Sequence, residues 1–464
     1  MKKLYRFSAI ALLVLPLVFT SCSDYLNRDD DDNITEADVF ARYEKVNGLV
    51  SDVYAAAKKA DRPLVFFEHF SNSAITDECE GTNVEGNITN NFNNGAWNPN
   101  SLPGSVGQYW EALYEGIRKA NLIIENVQKY NTPDNPQQDG DLRNRIGEMY
   151  FMRGYFHMLL LRMYGEAPYI DRVINAGDNM DFKKESVHSM VEKIVTDAQT
   201  AYGMVPNKYV KTSENFGRVD KGACLGLISF VRWVAATPLW NGASQYGYNL
   251  RRVFENEYAY DATRWRKAKE AAKAVLDFEV GGTKRYSLYT KHDANDFKDP
   301  ADGNLNDSRV YARLWDMFYD MDAFANEYVF FMTKSKDQAW QGDIYPPSRE
   351  GSSRQQPVQE QVDEYEYIVG DYGYPVYSAE ARKGGYDDTN PYVKGTRDPR
   401  FYRDVIYHGA PYRNNKNESK TINTASGSDK IGATNATTTG YYLRKFQQES
   451  WNKSGNFSIN APAI

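Results

Sequence analysis

Residues 142–164 read LRNRIGEMYFMRGYFHMLLLRMY, and the spacing of their apolar members decides what kind of chain this is. Met149, Met152, Phe156, Leu159 and Met163 step by three, four, three and four, the interval at which side chains share one face of an α-helix. The run stops at Gly165 and Pro168, because glycine accepts the left-handed cap and proline cannot continue the hydrogen-bond ladder. A helix over 142–164 with one apolar stripe is therefore predicted.

The same periodicity extends in both directions. Thr35-Glu36-Ala37-Asp38 has the form of a capping box, a hydroxyl followed three residues later by a carboxylate, and Val39, Val46, Leu49, Val50 and Val53 follow at helical spacing. This predicts a helix over 36–59. Trp110, Leu113, Ile117, Leu122, Ile123 and Val127 predict another over 106–129. Downstream, helices are predicted over 184–202, 219–236 and 263–278, the last with a face of Trp265, Ala268, Ala271, Ala272 and Val275. Trp110, Trp233 and Trp265 fall at helical spacing and are expected in the core. Six long helices in succession make a mainly α fold built from helical repeats, although their match to the tetratricopeptide pattern is degenerate.

Two stretches break the pattern. Over 61–105 Asn, Gly, Ser and Thr dominate, and Trp97 stands among Asn93, Asn94, Asn98 and Asn100; a loop excursion of that length in a folded domain usually carries function. From 280 to 464 the chain is richer in Gly, Asp, Asn, Tyr and Pro. It reads as loops and short elements laid on a helical scaffold spanning 36–279, with Tyr328 to Met332 the best strand candidate.

Composition narrows the function. Of 464 residues, 41% are hydrophobic and 25% charged, which suits a folded core and excludes wholesale disorder. Aromatics reach 14%, with 35 Tyr, 22 Phe and 8 Trp, and tyrosine is the ring that can pack while its hydroxyl stays wet. The net charge of -7 argues against a nucleic-acid partner, which calls for a basic face to displace counterions. Of the three cysteines, Cys22, Cys79 and Cys224, no disulfide is expected between Cys79 in a polar loop and Cys224 in an apolar helix.

At the amino terminus Lys2, Lys3 and Arg6 precede an apolar run from Ala9 to Phe19. That run is too short to cross a hydrocarbon core, which needs about 20 residues, and reads as a signal peptide over 1–21. Val18-Phe19-Thr20-Ser21-Cys22 resembles the lipobox of bacterial lipoproteins, in which the cysteine is acylated and the chain is cut before it. The resemblance implies a chain anchored by lipid at Cys22, with its net charge moved from -7 to -10 by loss of three cations. Asp24 and Asp29 to Asp32 follow at once. Residues 22–35 thus form an acidic tether, which resembles the surface-export signal of Bacteroidetes lipoproteins and serves equally as a plain solvated spacer.

No HExxH, paired CxxC, P-loop or GxSxG motif occurs, and no cofactor is expected. The histidines are scattered, and His157, one position off an apolar stripe, suits a hydrogen-bonded packing role. Asp299, Asp302, Asn304, Asn306 and Asp307 around Gly303 could offer oxygens to a structural calcium ion, although their spacing misses the EF-hand loop. A glycosidase needs two carboxylates about 5 to 9 Å apart in a cleft; 62 acidic residues supply many pairs and single out none. Binding a sugar without cleaving it asks for less, namely a flat ring against a C–H face flanked by groups for the hydroxyls. Trp97 with Asn98 and Asn100 fits that description, as do Trp315 beside Asp316, Trp340 beside Gln341, and Tyr345.

Several stretches taken together resemble the SusD/RagB family of outer-membrane nutrient-binding lipoproteins from Bacteroidetes. They are Ser21-Cys22-Ser23-Asp24-Tyr25-Leu26, the ITEADVF box over 34–40, the run from Arg145 to Phe156, and Leu161-Arg162-Met163-Tyr164-Gly165-Glu166-Ala167-Pro168. Gln356-Pro357-Val358-Gln359-Glu360-Gln361-Val362-Asp363 and the segment from Pro391-Tyr392 to Arg397-Asp398-Pro399-Arg400-Phe401 complete the set. The resemblance implies a tetratricopeptide-like scaffold, a loop-rich half carrying the ligand site, and a SusC-like TonB-dependent transporter to which a surface-exposed lipoprotein delivers glycan without catalysis. It also makes Arg397 to Phe401 a structural motif. Since the family usually continues into one more helix and this chain stops at Ile464, the final helical pair is expected to be missing, either because the sequence is truncated or because the fold ends unpaired. A surface glycoside hydrolase, or a relative binding peptide or another nutrient, remain alternatives at this stage.

Overall fold

A computed structural model of the chain describes residues 34–60, 70–82, 88–98, 100–101, 103–130, 136–209, 215–242, 254–289, 317, 326–335, 342–393, 395–413, 419–446 and 458–462. The single helix expected over 36–59 is divided into α1 (Glu36–Phe40) and α2 (Tyr43–Ala60), with Phe40 buried at the break. The capping box works as its sequence implies: Thr35 Oγ1 accepts from the Asp38 N–H at 3.2 Å, and the Asp38 carboxylate accepts from the Thr35 N–H at 3.0 Å. A short α3 (Ile88–Asn93) lies in the excursion, followed by α4 (Gly104–Tyr130), α5 (Pro136–Tyr164), α6 (Val187–Tyr202), α7 (Lys221–Ala236) and α8 (Ala262–Asp277). Each long helix packs on the next, α4 on α5, α5 on α6, α6 on α7 and α7 on α8, while α2 lies against both α4 and α5. Ser186, Asp220 and Asp261 cap α6, α7 and α8 through their side chains.

α5 departs from the single stripe expected of it. From 145 to 161 every residue but Tyr150 is buried, because α2, α4, α6 and α7 all contact this helix. Its polar residues must therefore find partners inside. Glu148 accepts from the Tyr54 and Tyr209 hydroxyls at 2.9 and 2.6 Å and from the Arg145 and Arg218 guanidinium groups at 2.5 and 2.9 Å. Arg153 forks onto Asp197 of α6 at 2.8 and 2.5 Å and also reaches Asn121 of α4 at 2.9 Å.

At the far end of the array, two expectations fail. Trp233 and Trp265, expected in the core, are 52% and 42% exposed, and Leu276 of α8 is exposed as well. Helical spacing groups residues on a face but does not say whether another element covers that face, and among the described residues none covers this one. After Asp277 the described helices are short: α9 (Gln359–Asp363), α10 (Ala379–Lys383) and α11 (Pro399–Asp404).

Strands are short too: β1 (Ile75–Thr76), β2 (Cys79–Gly81), β3 (Glu279–Val280), β4 (Thr283–Lys284), β5 (Phe331–Ser335), β6 (Gln355–Pro357), β7 (Tyr367–Val369), β8 (Tyr372–Tyr374), β9 (Val405–Ile406), β10 (Pro411–Arg413), β11 (Ser419–Thr421), β12 (Tyr442–Leu443) and β13 (Ser458–Pro462). Those described pair antiparallel. The strand expected from Tyr328 begins instead at Phe331, because Phe330 is drawn into the helical core, edge-on to Phe151 and Tyr155 at 5.0 and 5.4 Å. A second core, built from Tyr345, Val362, Phe401, Val405, Ile406 and Tyr442 among others, serves the loop-rich half. Arg397 lies buried against it and donates to the Val362 and Tyr365 carbonyl oxygens at 2.6 and 2.7 Å, while Asp398 caps α11 by accepting from the Arg400 N–H at 2.8 Å. The 397–401 motif thus holds backbone in place, the structural role the resemblance implied.

The halves are sewn together where the sheet β1-β2-β6 pairs Glu80 with Gln356. Gln355 and Gln356 are both buried. Gln355 Oε1 accepts from the Ser71 N–H and hydroxyl at 3.0 and 2.8 Å, and Gln356 spans from Thr82 Oγ1 at 3.2 Å to the Thr438 N–H at 3.0 Å. Cys79 and Cys224 are free and buried, and no helix among the described residues is long and apolar enough to cross a membrane.

Candidate functional site

Trp97 lies in the turn between α3 and α4. α3 is closed by backbone bonds from Asn94 to Asn90, Gly95 to Phe92 and Ala96 to Asn91, each 2.8 to 2.9 Å, and the reversal needs Gly95 at φ 72°, a conformation that costs glycine nothing. This brings the indole edge-on to Phe92, ring centres 4.7 Å apart and planes at 81°. The ring also packs on a small cluster of Phe70, Ala74 and Val106, shared with Ile75, Ile88 and Tyr164. These contacts hold the indole, which is only partly exposed.

The neighbouring asparagines divide the work. Asn98 Oδ1 accepts from the Asn100 N–H at 2.9 Å and its Nδ2 donates to Ser101 Oγ at 2.9 Å, so this amide shapes its own turn. Asn100 is exposed. Behind the turn stands an aromatic prop: Tyr164, at the end of α5, meets Trp110 edge-on at 4.9 Å and lies stacked on Tyr109 at 6.3 Å. Its hydroxyl donates to the Val106 carbonyl, and burial pushes its pKa up to about 12. Asn93 donates to the Ala74 carbonyl at 3.3 Å and to the Glu80 carboxylate at 3.4 Å, tying α3 to the strands that join the two halves.

Such an arrangement can lay an apolar ring against a C–H surface and set amide and carboxylate groups around it. Among the described residues no group of three or more His, Cys, Asp or Glu side chains is placed to hold a metal. Trp315, Trp340, Cys22 and the calcium candidates Asp299 to Asp307 lie outside the described residues.

Tyr345 is a correction. It is fully buried in the second core, because the chain from 346 to 353 folds back over it: Arg349 lies over its ring at 4.9 Å, the Ser353 N–H donates to its carbonyl at 3.2 Å, and Gly351 passes so close that a Cβ there would lie 1.9 Å from that oxygen. No sugar face reaches it. Phe92, Tyr109 and Tyr164, which prop the turn, were missed as contributors; the spacing of Tyr109, Trp110 and Tyr114 on one helix was the available signal. Two exposed tyrosines of the second half, Tyr372 and Tyr377, were missed as well.

Comparison with known proteins bears on this arrangement. Residues 24–231 match a family described as starch-binding associating with outer membrane, and residues 320–464 match the SusD family. SusD-like protein P2 of Formosa agariphila is 24% identical over 202 residues, which are 43% of this chain and only 38% of that relative's length. A SusD-like protein from Bacteroides fragilis NCTC 9343 superposes with a TM-score of 0.64 at 18% identity, over 94% of this chain and 74% of that one. A SusD-like carbohydrate binding protein from the same strain gives 0.65 at 14% identity, over 92% and 72%. At these identities the structural likeness is one of fold.

Proposed function

The chain belongs to the SusD/RagB family, and from that premise we propose that it binds an oligosaccharide at the cell surface and passes it, chemically unchanged, to a SusC-like TonB-dependent transporter. In this reading Cys22 carries the lipid that holds the protein to the outer membrane. Trp97 is the principal stacking residue, Asn98 and Asn100 flank it, and Trp315 and Trp340 contribute from the second half. Tyr345 is withdrawn on account of its burial.

The observation that carries the proposal is the setting of Trp97. A large apolar ring stands in an otherwise polar turn, fixed by Phe92 and the cluster behind it and only partly buried. A ring ordered before binding loses little further freedom when a ligand stacks on it. Calorimetry across a panel of glycans, with product analysis after long incubation, tests the reading. Trp97→Ala should weaken binding roughly tenfold, about 1.4 kcal/mol, with helical circular dichroism retained. Unchanged affinity would remove Trp97 from the site. Turnover abolished by substituting one carboxylate would instead make the protein a hydrolase, and binding of peptides but of no glycan would change the ligand class.

A further inference from the structure

β7 and β8 form a hairpin whose register pairs Tyr367 with Tyr374 and Val369 with Tyr372. Alternation along a strand puts these four side chains on one face. The inner part of that face is packed, with Tyr367, Val376, Ala381 and Tyr386 buried and Val369 and Tyr374 lying against them. At its open end Tyr372 is 70% exposed, and Tyr377, which follows the hairpin and meets Tyr386 of that cluster, is 55% exposed.

Exposure of single apolar residues is ordinary, but Tyr377 is exposed and also fixed. Its ring meets Tyr386 edge-on at 6.0 Å, and Tyr386 meets Tyr367 in the same manner at 5.5 Å. The Tyr377 hydroxyl donates to Asp363 Oδ1 at 3.2 Å, an oxygen that also accepts from the Gln359 amide at 2.7 Å. Desolvation and the Asp363 charge push this hydroxyl up to about 12, so it stays a protonated donor at neutral pH. Around the hairpin, residues 359–390 carry eight carboxylates against Arg382 and Lys383, and Arg382 is engaged by Asp388 at 2.9 Å. A sulfated or uronate chain would be repelled there, whereas an uncharged one meets flat rings for its C–H faces and carboxylates for its hydroxyls.

We propose that Tyr372 and Tyr377 form a second contact platform, distinct from the Trp97 turn, which takes an uncharged glycan chain laid across the hairpin. The proposal rests on the reading of the protein as a glycan binder and adds to it a second site and a ligand class. The test uses the full chain with soluble starch, galactomannan and xyloglucan as uncharged polymers and alginate as a charged one. For whichever uncharged polymer the unaltered protein binds, Tyr372→Ala and Tyr377→Ala should each weaken binding about three- to tenfold, while Tyr377→Phe, which keeps the ring, stays within about twofold. Hydroxyl-radical footprinting of the unaltered protein supplies a readout independent of any variant's folding: Tyr372 and Tyr377 should be protected by polymer, and protected also in Trp97→Ala at saturating polymer. Equal affinity of the double variant Tyr372→Ala/Tyr377→Ala, or labelling of both tyrosines undiminished by polymer, overturns the platform while leaving the glycan-binding reading intact. Tighter binding of alginate than of all three uncharged polymers overturns the ligand class. Failure of the unaltered protein to bind any of the four removes the glycan-binding reading and the platform with it.

Discussion

His157 stands in the middle of a helix buried all round, and its two nitrogens account for its presence there. The Ile170 N–H donates to Nε2 at 3.0 Å, which leaves the proton on Nδ1 to donate to the Arg153 carbonyl at 2.8 Å, while the ring lies stacked on Tyr169 at 3.7 Å. Burial pushes its pKa down to about 3. An unfolded histidine titrates near 6.5, so between about pH 6.5 and 3 the unfolded chain binds a proton that the folded one refuses. Stability therefore rises with pH across that window and is lost as pH falls through it, by up to about 1.4 kcal/mol per unit. Urea midpoints measured from pH 6.5 down to 5 should fall more steeply for the unaltered protein than for His157→Gln, whose own stability is lower; parallel slopes would show that another group governs the acid response. The packing role of His157 was legible from its place beside an apolar stripe. Tyr345 was not legible as core, because the turn that covers it comes from the residues that follow, and local polarity in the sequence resembles that of an exposed loop.

At the scale of elements, the six long helices could be read from periodicity, and the start of the first at Thr35 and the end of the third at Gly165 from caps, since both signals are local, although the break at Phe40 could not. What periodicity could not supply was which helix is central: the stripe of α5 is only part of a surface covered on every side, and the outward tryptophans of α7 and α8 share the spacing of buried ones. The seam between the halves was equally hidden. In the sequence Gln355 and Gln356 look like polar loop residues, yet each is a buried amide bridging segments about 80 to 280 positions away. Gln356→Ala would strand the Thr438 N–H and leave the Thr82 hydroxyl without its amide donor, and a lost buried partner costs about 1 to 3 kcal/mol. The variant should melt several degrees lower and be cleaved faster by protease between residues 70 and 101, with its helical signal kept. If cleavage there is unchanged, the excursion is held by β1 and β2 alone.

For the whole molecule the relevant quantities are net charge and surface area. A chain at -7, or -10 in the proposed lipoprotein form that lacks residues 1–21, repels anionic surfaces over about 8 Å at physiological ionic strength, so an anionic partner has to be held by close complementary contact rather than by steering. A protein that covers a pore needs such contact over at least roughly 1,000 Å² to stay in place, and an interface of that size survives mild detergent when its core is apolar. The proposed SusC-like transporter should accordingly co-purify with the natively expressed protein, and the complex should persist when NaCl is raised from about 0.1 to 0.5 M, since screening weakens interactions between exposed charges and leaves packed apolar contact in place. Loss of the barrel at high salt alone would mean that charge, rather than packed apolar contact, holds the two together. Recovery of the protein without any barrel under several detergents would count against delivery to a transporter.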